Sequence, residues 1–411
     1  MPIAPTRRLF GLLHRWLGLF SAVFLFIAGA TGAVISWDHE LDGWLNPRFY
    51  VATPGPQRSA LDLAAKIERD DPKVRVTYLP LAVESGEALQ IWVEPRLDAN
   101  TKQLREVDYN QLSIDPVTGA ELGRRMWGAV GLSRENLLPF LYKLHYSLQI
   151  PLVSDVDVGS LFMGIVAIVW VVDAFVSLWI AFPNWRSWRK SFAFRWKKGG
   201  QALTFDLHRS GGVWIWLLLL MLAVTAVSMN LRTQVMTPIV SLFSTLTPNP
   251  FDTRAPAAAD KPIEPVVDRA QALDLAKAEA ARRGWQAPAG GLLYSPEYGV
   301  YGVGFFTPDH DHGDGGLGNP WLYFDARDGS PAGADVPGTG TAGDIFMQAQ
   351  FPLHSGRIIG ITGRVLISLL GVAVATLSVT GIVIWLRKRR ARALVGTRSG
   401  KRAPRLETSA P

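Results

Sequence analysis

The sequence predicts a membrane α-helical protein: a four-span bundle built from a parallel two-fold repeat, with two external α+β modules. Three observations predict it. The chain has 411 residues, 48% hydrophobic and only 19% charged, where soluble domains are roughly a quarter charged. The apolar excess is concentrated in four runs, Leu12 to Trp37, Val158 to Phe182, Val213 to Leu231 and Ile358 to Leu386. The same landmarks also recur in the same order in both halves.

A helix needs roughly 20 mostly apolar residues to cross a bilayer, and the four runs meet or approach that length. The first follows Arg7 and Arg8 and contains Ala28-Gly-Ala30, as a cleavable signal would. It is long for a signal, and its counterpart in the second half is internal, so it is expected to remain as a span. Placement of Lys and Arg orients the spans. The loop after the second run holds Arg186, Arg189, Lys190, Arg195, Lys197 and Lys198 against Asp206, and the tail is basic from Arg387 to Arg405. Both are expected on the cytoplasmic side, with the N-terminus. The expected segments are 1–37 (N-terminus and span), 38–157 (external module), 158–182 (span), 183–208 (basic loop), 209–231 (span), 232–357 (external module), 358–386 (span) and 387–411 (basic tail). Trp37, Trp44, Trp179, Trp185, Trp188, Trp214, Trp216 and Trp385 fall near span ends, as an interfacial aromatic belt does. The net charge of +7 therefore reads as topology beside lipid, not as a nucleic-acid surface.

The repeat rests on four landmarks. His14-Arg15 opens the first span and His208-Arg209 the third. Ile114-Asp115-Pro-Val-Thr-Gly119 matches Phe324-Asp325-Ala-Arg-Asp-Gly329 as a strand-and-turn phrase. Leu144-His145 and Leu353-His354 follow at nearly the same distance, and then the next span. Two spans per copy keep one orientation, which makes the repeat parallel. The second copy is longer, and the loop Asp309-His-Asp-His-Gly-Asp-Gly-Gly316 falls in the added length. Within the modules, Ser59 to Arg69 and Arg269 to Arg283 show helical periodicity. Leu89 to Val93 and Val300 to Phe306 read as strands, and Thr247 to Pro265 and Gly329 to Gly343 as loops. A helix over Leu137 to Leu148 is needed to bring His145 back to the membrane.

Composition removes several chemistries. With no cysteine there is no thiol catalysis, iron–sulfur cluster or covalent c-type haem. No Gly-x-Gly-x-x-Gly opens a helix after a strand and no Walker motif occurs, so neither a nicotinamide nor an ATP site is expected. The histidines carry the argument. His14 and His208 are expected at the cytoplasmic ends of their spans, and His145 and His354 at the external ends. Two neutral imidazoles on facing helices hold a haem iron from both sides, and a bundle core suits the macrocycle. Two b-type haems are predicted, one at each face, with Arg15, Arg209 and Arg357 placed to meet their propionates. A lone interfacial histidine has the plainer reading of a headgroup contact; four in topological pairs favour ligation. Asp173, an acid inside the second span, is a functional candidate by position, with Arg364 as its partner or a further propionate anchor. His310 and His312 are candidates for a metal or an iron-bearing ligand. His39 has no counterpart and reads as interfacial.

The phrases Leu13-His-Arg-Trp-Leu-Gly18, Asp206-Leu-His-Arg-Ser-Gly-Gly212, Asp115-Pro-Val-Thr-Gly119, Pro352-Leu-His-Ser-Gly-Arg-Ile-Ile-Gly360 and Thr380-Gly-Ile-Val-Ile-Trp385 resemble the PepSY-associated transmembrane proteins, often labelled iron-regulated membrane proteins. The resemblance implies four spans, PepSY-like external modules and, in one branch, di-haem reduction of ferric siderophores at the bacterial inner membrane. Asp173 to Pro183 is similar to the second-span ending of that branch, and the Thr/Ser-Gly and Trp-x-Pro ending of many other members is missing. The leading expectation is an inner-membrane reductase that moves electrons from a cytoplasmic or quinol donor to a periplasmic ferric siderophore or other ferric chelate. The alternatives are a transporter or accessory subunit using Asp173 and Arg364, and a regulator of an external protease.

Overall fold

The computed structural model describes residues 5–400; Lys401, Arg402 and Arg405 of the basic tail lie outside them. In chain order come α1 (Pro5–Ile35), α2 (Asp38–Leu45), α3 (Ala60–Asp70), β1 (Val74–Pro80), β2 (Leu89–Pro95), β3 (Gln111–Ile114), β4 (Glu121–Arg125), α4 (Leu137–Ser147) and α5 (Val158–Ala181). They are followed by α6 (Gly200–Trp214), α7 (Trp216–Asn230), the short α8 (Thr237–Ser241) and α9 (Pro250–Thr253), α10 (Arg269–Arg282), β5 (Ala289–Ser295), β6 (Val300–Phe305), β7 (Trp321–Asp325), β8 (Pro331–Asp335), α11 (Ala342–Ser355) and α12 (Gly360–Gly400).

Helices α1 and α5 and the helical stretch Arg357–Leu394 are long and apolar enough to cross a membrane. The third apolar run differs from the straight span expected over 209–231. Its helix begins at Gly200, breaks at Ile215 and resumes as α7, bent by 71°. Ser210-Gly211-Gly212 immediately precedes the break, and runs of Gly and Ser are a recognised cause of sharp kinks. The spans therefore number three, or four if the bent pair is one.

The chain forms two compact units. The first takes the described parts of Met1–Ala30, Ile165–Val224 and Leu369–Pro411. It is helical, and glycine allows one close approach. A Cβ on Gly29 would lie 2.6 Å from the Gly371 carbonyl oxygen, so α1 and α12 touch backbone to backbone only without a side chain there.

The second unit takes Thr31–Gly164 and Thr225–Ser368 and contains one antiparallel sheet of eight strands, in the order β4-β3-β2-β1-β5-β6-β7-β8. Each half of it is a four-stranded meander preceded by a capped helix. Ser59 caps α3, and Asp268 with Gln271 forms a capping box on α10. The two α+β modules expected from the sequence share one sheet, in which β1 and β5 pair through Tyr78↔Leu293, Leu79↔Leu292 and Pro80↔Gly291. Pairing satisfies the backbone groups that both inner edges would otherwise expose. Buried Leu63, Val76, Leu79, Ile91 and Leu112 fill one side, and Ala276, Leu292, Val303 and Leu322 the other. Leu61 and Leu81 pack against both clusters. Glu68 on α3 takes Arg96 at 2.9 Å and also Arg269 from the other half.

Helix α2 is tied to β4 by a buried ion pair. Arg125 and Asp42 meet at 2.7 Å with side chains 3% and 4% exposed. Tyr50 and Asn46 also donate to Asp42, at 2.6 and 2.8 Å. Asp42→Ala is therefore expected to cost about 3–5 kcal/mol, because it leaves a buried guanidinium unpaired. The check is a large fall in Tm of the detergent-solubilised protein; an unchanged Tm would show that Arg125 finds another partner.

Candidate functional site

The first unit brings His14 on α1 and His208 on α6 together, with ring centroids 6.0 Å apart and planes at 44°. The Nδ1 atoms are both engaged. Both carboxylate oxygens of Asp173, on α5, lie against His14 Nδ1, at 2.9 and 3.1 Å. His208 Nδ1 donates to the Leu377 carbonyl oxygen at 3.0 Å and lies 3.2 Å from the Thr380 hydroxyl, both on α12. A proton on Nδ1 leaves the lone pair on Nε2, the nitrogen then able to bind a metal. A Cβ on Gly381 would approach His208 Cε1 to 3.0 Å, so the bare glycine makes room for the ring.

The second unit repeats the arrangement. His145 on α4 and His354 on α11 have centroids 6.1 Å apart and planes at 65°. His145 Nδ1 lies 3.1 Å from the Thr31 hydroxyl, and His354 Nδ1 lies 2.9 Å from the Thr225 hydroxyl. A Cβ on Gly32 would approach His145 Cε1 to 2.9 Å. Burial, with His145 adding to it, pushes His354 down to about 3, which keeps it neutral and able to ligate at physiological pH. Just beyond it, Gly356 ends α11 at φ +78°, and a Cβ there would collide with the Gly363 carbonyl.

Metal–imidazole bonds of about 2.0–2.1 Å put two rings facing one metal roughly 6 Å apart, centroid to centroid. Both pairs have that spacing. Among the described residues no three histidines, cysteines or carboxylates cluster as a metal site. Each pair therefore brings together two imidazoles and no third such group. Beside the first pair, the Nε atoms of Arg15 and Arg209 are buried without a hydrogen-bond partner.

A family model described as the PepSY-associated TM region matches residues 12–388. The chain belongs to this family. No curated protein matches it. The match takes in both histidine pairs and Asp173 of this PepSY-associated membrane protein.

Other expected site residues take different partners. Arg364 does not meet Asp173. It pairs with Glu40 at 2.7 Å, donates to the Ser36 carbonyl at 2.9 Å and lies 4.5 Å over the Trp37 ring. Arg364 is met by Glu40, and Asp173 by His14. Arg357 binds Asp314 at 2.8 Å, and its carbonyl accepts from Gly315 at 2.8 Å, so it holds the 309–316 loop. That loop is docked at its centre: the His312 ring lies 5.2 Å from His39, which is edge-on to Tyr50 at 5.1 Å. Burial pushes His312 down and Asp38 up; Arg357 is among the charges acting on both. His310 is exposed and pairs with Asp309 at 3.0 Å.

Sequence reasoning missed the partners of the rings: Thr31, Thr225, Leu377 and Thr380, with Gly32 and Gly381. One signal was available. Thr-Gly recurs late in the first and fourth apolar runs, as Thr31-Gly32 and Thr380-Gly381, and each pair supplies a hydroxyl and a bare Cα to one histidine. In this family member Asp314→Ala should loosen the docked loop. A partly exposed ion pair contributes up to about 1 kcal/mol, so limited proteolysis within 309–316 should be several-fold faster with Tm unchanged. Unchanged cleavage would mean that the His39–His312 contact suffices.

Proposed function

We propose that this protein is a di-haem reductase of the bacterial inner membrane, taking electrons from a cytoplasmic or quinol donor and delivering them to a periplasmic ferric siderophore or other ferric chelate. The observation that carries the reading is one geometry occurring twice: paired imidazoles with centroids 6.0 and 6.1 Å apart, each held through Nδ1. Bound b-type haem would supply reversible one-electron transfer at its iron. His14 and His208 would hold one such group, and His145 and His354 the other. The bonds at Nδ1 fix ring orientation and tautomer, as outer partners of ligating histidines do. Arg15 and Arg209 would meet propionates, which supply the acceptors that their buried Nε atoms lack. Arg357 is already taken by Asp314 and would not serve there unless that pair opened.

The basic loop and tail support a cytoplasmic place for the His14 end and a periplasmic one for the sheet-bearing unit. A ferric chelate suits the external side because hard oxygen donors hold the more highly charged iron more tightly, so reduction loosens the complex. The donor would be a quinol, a soluble flavin or another protein. A transport path through Asp173 and Arg364 is less favoured, since each has its own partner.

Optical spectra of the detergent-purified, haem-supplied protein test the reading. About two low-spin b-type haems per chain are expected, with about one lost in His14→Ala and about one in His354→Ala. A folded preparation without haem would overturn it and return the histidines to interfacial roles.

A further inference from the structure

The four Nδ1 contacts are not chemically alike. Those of His208, His145 and His354 include a carbonyl or a hydroxyl, which are neutral. That of His14 is a carboxylate. Asp173 is 8% exposed, lies inside the apolar helix α5, and turns both oxygens to one imidazole nitrogen. An acid at such depth is costly unless partnered, and its partner here is the ring that the two-haem reading makes a ligand. A carboxylate accepting the Nδ1 proton draws it from the ring and makes the opposite nitrogen a stronger donor. A stronger donor, with negative charge nearby, stabilises the more oxidised state of whatever iron that nitrogen binds. Hydrogen bonding to the ligand is one of the protein's levers on reduction potential.

We propose that Asp173 is a positioning residue that sets the reduction potential of the His14–His208 centre below that of the His145–His354 centre. The inference rests on the di-haem reading and adds a direction to it: electrons that enter at the low-potential centre move downhill to the other. No bond is made or broken; the quantity set is the balance between oxidised and reduced forms.

The test is an optical redox titration of the intact holoprotein, with mediators, in wild type, Asp173→Asn and Asp173→Glu. Wild type is expected to show two resolved midpoints. Asp173→Asn, nearly isosteric but uncharged, should raise the lower midpoint and leave the upper in place. A tenfold rise in the reduced-to-oxidised ratio at fixed potential corresponds to about 59 mV for one electron, and at least that shift is expected. Asp173→Glu restores the charge and should return the midpoint toward wild type. Two haems with the lower midpoint unmoved in Asp173→Asn would overturn the inference. Coincident midpoints in wild type would overturn it without any variant, so loss of haem from the variants does not protect it. A haem-free wild type would instead overturn the di-haem reading beneath it.

Discussion

An imidazole can bind a metal only through a nitrogen that keeps its lone pair, and it can be aimed only if its other nitrogen is held. The proposed haem sites rest on that constraint. His14, His145, His208 and His354 each have Nδ1 in contact with a group on another helix: Asp173 on α5, Thr31 on α1, Leu377 and Thr380 on α12, and Thr225 on α7. Every apolar helix thus supplies either a ring or the group that holds one. Glycine does the complementary work where a side chain would occupy the ring's place, at positions 32 and 381. The break at Ile215 belongs to the same logic. It divides the third run into α6, which carries His208, and α7, which carries Thr225, so one hydrophobic segment serves two different rings with two different helix directions.

The sheet answers the same requirement for the second pair. Helix α4 follows β4, and α11 follows β8, so the helices bearing His145 and His354 each extend from the outer strand of a meander. Two independent modules would leave the distance between those helices to chance. Pairing β1 with β5 makes the meanders one body, and Leu61 and Leu81 bury their side chains against both halves of its core. Arg125, at the end of β4, binds Asp42 on α2 and donates at 2.8 Å to the Glu135 carbonyl, two residues before α4. At the other end, Asp344 in the first turn of α11 accepts from the backbone and hydroxyl of Thr247 at 2.8 and 2.7 Å. Both helices are therefore fixed at their N-terminal ends, where a rigid sheet can hold a side chain's position that loops alone would leave loose.

Much of this was legible in the sequence, and the reason is periodic. A spanning helix needs a long apolar run, and recurring phrases such as His-Arg and Leu-His single out the histidines that the structure pairs, without any knowledge of packing. The helix over Leu137 to Leu148 was required by the position of His145 alone, and α4 lies there. The seam between β1 and β5 was not legible, because Tyr78-Leu79-Pro80 and Gly291-Leu292-Leu293 carry no mark of whom they pair with; edge strands look like any others until a partner covers them. The bend at Ile215 was hidden for a similar reason: hydropathy measures how apolar a run is, not whether it is straight.

The partners of the charged residues were misjudged for a different reason. Pairing Asp173 with Arg364 treats the membrane interior as a place where opposite charges seek each other over distance. Removing a charge from water is costly enough that each is met by the nearest polar group in its own neighbourhood. For Arg364 that group is Glu40 just outside the apolar run, and for Asp173 it is a histidine. The consequence is asymmetric. Arg364 is spent on structure, joining its helix to the start of α2. Asp173 lies against a ring that the di-haem reading makes a ligand, so in that reading the acid within the span joins the site by contact as well as by depth.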